Sequence, residues 1–185
     1  MINGATPSRR EAILLVVSAA LAHADSPRVA ASGLTQALGP AAIAQSDGEL
    51  VYVGQDPVRI KISPKAQGRF AMITQDVSPG TSIPVHLHEH EDEIIFIQSG
   101  QGEATLGDDL VPLRSGSTLY VPQGTWHGGR NTGTEILRWI AIYSPSGFEG
   151  YFREIGRSSP DAPPRPSSPA ERDARDVRYG IRYRV

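Results

Sequence analysis

The chain has 185 residues, a formal net charge of -2 and 21% charged side chains, which suits one soluble domain with a single buried core. It has no cysteine, so a disulfide framework, a thiolate metal site and a cysteine nucleophile are excluded. Arginine outnumbers lysine 16 to 2, yet no basic stripe interleaved with aromatic residues runs through the body of the chain, and no nucleic-acid partner is expected.

At the N-terminus, Arg9 and Arg10 precede an apolar run over 12–22, and Ala22-His23-Ala24 follows. A positive start, a short apolar stretch and a small-x-small site are the parts of a secretory signal peptide. They predict a signal over 1–24, cleavage after Ala24 and a periplasmic or secreted protein. The run is too short for a lasting bilayer span, so no stable membrane anchor is expected. Ser8-Arg9-Arg10 also resembles the opening of a twin-arginine export signal, although Ala12 stands where that signal usually has Phe; Sec export stays open. The same run also suits a native amphipathic helix packed on the domain. Residues 25–48 form a lead-in.

From residue 49 to 156 the pattern is that of one all-β domain. Strands are predicted over 50–53, 58–62, 70–74, 83–87, 93–98, 103–106, 117–121 and 136–143, each rich in β-branched or aromatic residues and bounded by Gly, Pro, Asp or Ser. Short strands at such even spacing favour a sandwich or small barrel over a βαβ fold. Among the apolar residues near the histidines, Met72, Ile83, Ile95, Ile97, Leu119, Trp126 and Trp139 are expected to divide between core and cavity wall. Trp126 is the preferred cavity candidate because it precedes His127, although adjacent strand residues point to opposite faces.

Four of the five histidines fall in or near two Gly/Pro-punctuated segments, at 86, 88, 90 and 127. Side chains at i and i+2 on a strand share a face, so His86 and His88 are placed to offer two imidazoles to one ion. Imidazole and carboxylate together suit Fe, Mn, Ni, Cu or Zn. His90 shares their parity and is an alternate ligand candidate, but it sits in the Glu89-His90-Glu91-Asp92 run, which reads as a turn and favours a solvated or ligand-supporting role. Glu91 or Asp92 is a candidate for orienting a ligating ring through its other nitrogen.

Gly80, His86-x-His88, Glu93 and Gly100 stand at the spacing of the first cupin motif, and Gly116, Pro122-x-Gly124, His127 and Asn131 at that of the second. The chain thus resembles the cupin family, over Gly80 to Asn131. The resemblance implies a cupin double-stranded β-helix, or jelly-roll barrel. It implies that His86, His88, Glu93 and His127 hold one divalent transition metal. Gly80, Gly100 and Gly116 are then turn residues with positive φ, Pro122 fixes the chain ahead of His127, and Asn131 closes a turn through its side chain. Cupins often dimerise through their sheets, which makes a homodimer the expected assembly.

Beyond the barrel, apolar side chains at 148, 151, 152 and 155 trace one helical face, and the Gly147-Phe148-Glu149 segment is similar to that of quercetin-dioxygenase-like cupins. A Pro/Ser-rich linker over 157–169 leads to Ser168-Pro169-Ala170-Glu171, an N-cap, a first-turn proline and a capping-box glutamate, predicting a helix over 169–179 that stops at Gly180. The 157–185 segment is read as linker and terminal helix. No internal repeat is seen, which makes this a monocupin. By resemblance, the function expected is a metal-dependent dioxygenase acting on a small enol or phenol, with Glu93 as catalytic proton acceptor. The alternatives are a non-oxidative isomerase, decarboxylase or lyase, and a binding module without chemistry.

Overall fold

Alternation of buried and half-buried side chains gives eleven short strands and two helices among the residues that the computed structural model describes, 40–64 and 68–184. The expected signal over 1–24, and the lead-in as far as 39, lie outside the described residues. No helix among the described residues is long and apolar enough to cross a membrane.

One antiparallel sheet runs in the order β1 (Glu49–Val53), β2 (Asp56–Ile62), β3 (Ala71–Val77), β10 (Leu137–Ser144), β5 (Asp92–Ser99) and β8 (Thr118–Val121). The other runs β11 (Ile181–Tyr183), β4 (Ser82–His88), β9 (His127–Asn131), β6 (Gln101–Leu106) and β7 (Asp109–Arg114). Their facing sides share one apolar cluster, with Val77, Ile97, Leu119, Val121, Leu137 and Trp139 from the first sheet against Ala104 and Leu113 from the second. The double-stranded β-helix expected from the sequence is therefore present, as two separate hydrogen-bonded ladders and not one closed barrel.

A second cluster fills the other end, with Val58, Ile60, Ile73, Ala141 and Tyr143 against Phe148 and Tyr151 and against Ile181 of β11. Tyr151 lies on α1 (Glu149–Ile155), which Phe148 precedes. The short helix predicted after the barrel thus docks its apolar face on the sheet. The second helix, α2 (Pro169–Arg178), has the capping box its sequence implied: Ser168 accepts from the Glu171 N–H, and the Glu171 side chain accepts from the Ser168 N–H.

Eight of the strands coincide with predicted ones, and β7, β9 and β11 were not among them. β7 contains Pro112 and β9 contains two adjacent glycines, both of which lower strand propensity. The glycines have a packing reason: a Cβ on Gly128 would meet the Ile83 carbonyl oxygen at 2.9 Å and the Val85 Cα at 3.1 Å. Bare backbone there lets β9 lie close against β4. Gly80, Gly100 and Gly116 have φ of 79°, 86° and 87°. Fully buried Asn131 donates to the Val77 and Glu135 carbonyls and accepts from the Gly133 N–H, tying β3 to the turn after β9.

Candidate metal centre

The histidines are brought together by a one-residue irregularity. On β4, Ile83 pairs with Gly129 while His86 pairs with His127, so one extra residue is accommodated between them around Pro84, which has no N–H to donate. The strand parity changes across this bulge. Ile83 and His86, three residues apart, therefore both line the same cavity.

Each of two rings is fixed by a carbonyl two residues earlier: His86 Nδ1 lies 2.8 Å from the Pro84 oxygen and His127 Nδ1 lies 3.0 Å from the Thr125 oxygen. A carbonyl only accepts, so both Nδ1 atoms carry hydrogen and both Nε2 atoms of the neutral rings present lone pairs. The chain ahead of His127 is held in turn by the Thr125 N–H donating to the Pro122 carbonyl and by the Gly124 N–H donating to that of His88. Ligating atoms of His86, His88 and His127 all lie within 4.8 Å of one another, and all three residues are buried.

Glu93, 4% exposed, enters from β5 on the facing sheet. Its Oε2 lies 2.8 Å from His127 Nε2 and 3.4 Å from His88 Nε2. Neither approach has the alignment of a hydrogen bond, and these three atoms, with His88 Nδ1, are buried with no partner among the described residues. One proton cannot serve both rings, but a cation among them satisfies every lone pair. The donor set therefore fits a metal ion.

The electrostatics of His86 and Glu93 agree with that fit. Burial, then the neighbouring His127 and His88, lowers His86 to about 3, which keeps a lone pair available in mild acid. Burial alone would raise Glu93, but contacts with His127 and His88 outweigh it and hold the carboxylate ionised well below its ordinary range. Burial lowers His127 and the Glu93 contact raises it, with a net upward shift.

His90 is exposed and packs its ring beside Gly180, away from the three buried histidines. Asp92 accepts from the Tyr120 hydroxyl and the Gln123 N–H, and Glu91 Oε2 is buried without a partner. Neither therefore orients a ligating imidazole; the backbone carbonyls of Pro84 and Thr125 do so. Burial, then the charges of Glu149 and Glu93, pushes Glu91 up to about 7 from 4.5. Between those values the folded state holds a proton that the unfolded chain has released, so stability is lost as pH rises through about 7. Glu91→Gln is expected to flatten that decline and, in metal-free protein at pH 8, to melt roughly 3–6 °C above wild type by calorimetry. An equal gap at pH 5 would refute it.

The cavity beside the histidines encloses about 320 Å³ and is lined mainly by apolar and aromatic side chains. Of the seven apolar residues expected to divide between core and wall, Ile83, Ile95, Leu119 and Trp139 line it. Ile97 is fully buried core, and Met72 is half-buried between Ala71 and Ile73, whose side chains point inward. Trp126 is not a wall residue: it packs under Arg184, whose guanidinium carbon is 5.0 Å from its ring centre, as the opposite parity to His127 requires. The sequence reading missed Tyr143, Phe148, Tyr151, Ile181 and Tyr183 as wall residues. Phe148 and Tyr151 carried a signal in their helical periodicity, whereas Tyr183 depends on a strand pairing across nearly a hundred residues.

His86, His127 and Glu93 stand on the wall of an apolar cavity between two facing β-sheets, and His88 is buried beside them, so the site could hold a metal ion next to a small-molecule pocket. Residues 73–143 match the family described as Cupin domain, and the chain carries a cupin domain. It is 25% identical over 118 residues, 63% of its length, to quercetin 2,3-dioxygenase of Bacillus subtilis. It is 34% identical over 64 residues, 35% of its length, to an oxalate-binding protein of Thermotoga maritima. The chain spans less than two thirds of the curated relatives it matches, 35% of the dioxygenase and 53% of the oxalate-binding protein. Its fold is similar to that of KdgF from Halomonas sp., with a TM-score of 0.54 at 18% identity, covering 60% of this chain and 99% of that one.

Proposed function

We propose that the protein is a metal-dependent dioxygenase-like enzyme acting on a small enolic or phenolic compound. The observation that carries this is the convergence of buried, unpartnered His88, His127 and Glu93 atoms with His86, three of these residues (His86, Glu93 and His127) lining an apolar cavity. His86, His88, His127 and Glu93 would hold one divalent ion, which when bound supplies a Lewis acid and, if redox-active, a centre for dioxygen chemistry. The same four residues set what the protein itself does. Glu93 Oε2 is an ionised oxygen placed to take the proton of an enol or phenol entering the site. Burial, then the Glu93 charge, raises the Tyr143 phenol well above its ordinary range, so it remains a donor on the wall. The apolar lining favours a flat, weakly polar ligand and keeps bulk water away from it.

The test is oxygen uptake by protein loaded separately with Fe, Mn, Ni, Cu or Zn, across a panel of flavonols and simpler enols. Uptake with a redox-active metal, absent with zinc, is expected. The likeness to an oxalate-binding protein favours a second reading, a site that binds a small molecule or acts on it without oxygen. Turnover under anaerobic conditions with zinc, or tight binding without turnover, would replace the first reading by the second.

A further inference from the structure

The part of the chain beyond the matched domain reaches the site. β11 extends the sheet at β4, with Ile181 opposite His88 and Tyr183 opposite His86. The Tyr183 and His86 ring centres lie 6.0 Å apart, and Tyr183 lines the cavity. Its hydroxyl is 2.8 Å from that of Tyr151 on α1, a second wall residue. Arg175 of α2 places its guanidinium carbon 5.2 Å from the Tyr151 ring centre and also contacts Asp176.

Two hydroxyls bonded to each other use one of their two hydrogens, which leaves one over. The Arg175 cation over the Tyr151 ring makes the Tyr151 hydroxyl the stronger donor of the pair, which favours the arrangement in which its hydrogen goes to Tyr183. The spare hydrogen is then the one on Tyr183, beside His86. Chains of this kind polarise each link, and this one begins at a cation. The neighbouring wall residues Phe148, Phe152, Ile155 and Ile181 offer no competing acceptor. Asp56, the cavity's other carboxylate besides Glu93, is engaged by the Ser78 hydroxyl and N–H.

We propose that Arg175, Tyr151 and Tyr183 form a donor chain whose end, the Tyr183 hydroxyl, binds an anionic oxygen of a ligand held at the three-histidine centre. The proposal rests on reading that centre as a metal site, and it narrows the ligand to one that presents an oxyanion, such as an enolate, phenolate or hydroxamate. The C-terminal segment is then a selecting element of the site, with Tyr151 and Arg175 as positioning residues.

The test uses the full chain loaded with Co2+, whose visible spectrum reports the centre before any ligand is added. Acetohydroxamate, a chelating anion, and imidazole, a neutral ligand, are the two probes. Tyr183→Phe is expected to weaken acetohydroxamate binding about tenfold, the loss of one charge-assisted hydrogen bond, and to leave imidazole binding and Co2+ uptake unchanged. Arg175→Gln, which leaves the cavity wall intact, is expected to weaken it roughly two- to threefold and keeps the idea testable if Tyr183→Phe does not fold. Acetohydroxamate affinity within twofold of wild type in both variants, an equal loss for imidazole, or no acetohydroxamate binding to cobalt-loaded wild type would overturn the donor chain. Failure to take up Co2+ would overturn the metal centre as well. Absence of oxygen uptake with flavonols touches neither.

Discussion

His127→Ala is expected to bind its metal at least about a hundredfold more weakly than wild type, measured by titration of metal-free protein and by elemental analysis after dialysis. The ring does more than supply one nitrogen. Its Nδ1 bond to the Thr125 carbonyl fixes the lone pair toward Glu93 Oε2 and His88 Nε2, and the β4 bulge puts it opposite His86. Alanine leaves two imidazoles and a buried anion, a poorer and less neutralised set. Because alanine keeps the backbone pairing of β9 with β4 and β6, the fold is expected to survive, with strand content by circular dichroism unchanged. Metal retained at wild-type affinity would show that the centre is not where the unpartnered atoms place it.

Glu93→Gln carries the second large effect. Glutamine keeps the shape and one acceptor oxygen but cannot take a proton. On the proposed function, oxygen uptake by the metal-loaded protein is therefore expected to fall by roughly 10²–10⁴ in kcat, the usual contribution of a positioned base. Bound metal is expected to fall far less, since three imidazoles remain. A variant that turns over within threefold of wild type would remove Glu93 as proton acceptor and leave it at most a ligand. Comparable losses of metal and of activity would assign it to binding alone.

The two motifs made the centre legible because each is a short local segment: His86 and His88 share a strand face, and the Pro84 and Thr125 carbonyls that orient two of the rings each lie two residues before them. The turn glycines and the Asn131 turn were legible for the same reason, since a positive φ or a side chain bonded four residues away is written locally. Capping of α2 belongs here too. β9 was not legible as a strand, because Gly128 and Gly129 lower strand propensity and are required only by the close approach of β4. Trp126 was misplaced because adjacency to a predicted ligand was weighed against parity, and parity decided.

By itself the amino-acid sequence determined an all-β chain, the identity of the histidines and the carboxylate, and the helix that follows the barrel, since each depends on local periodicity, turn chemistry or spacing. Tertiary structure decided the rest. The bulge around Pro84 set which side chains face the cavity, because a one-residue slip reverses every side chain beyond it. The pairing of β11 with β4 brought Tyr183 beside His86 from the far end of the chain, and only long-range backbone hydrogen bonding between two strands, invisible to any local pattern, fixes that contact.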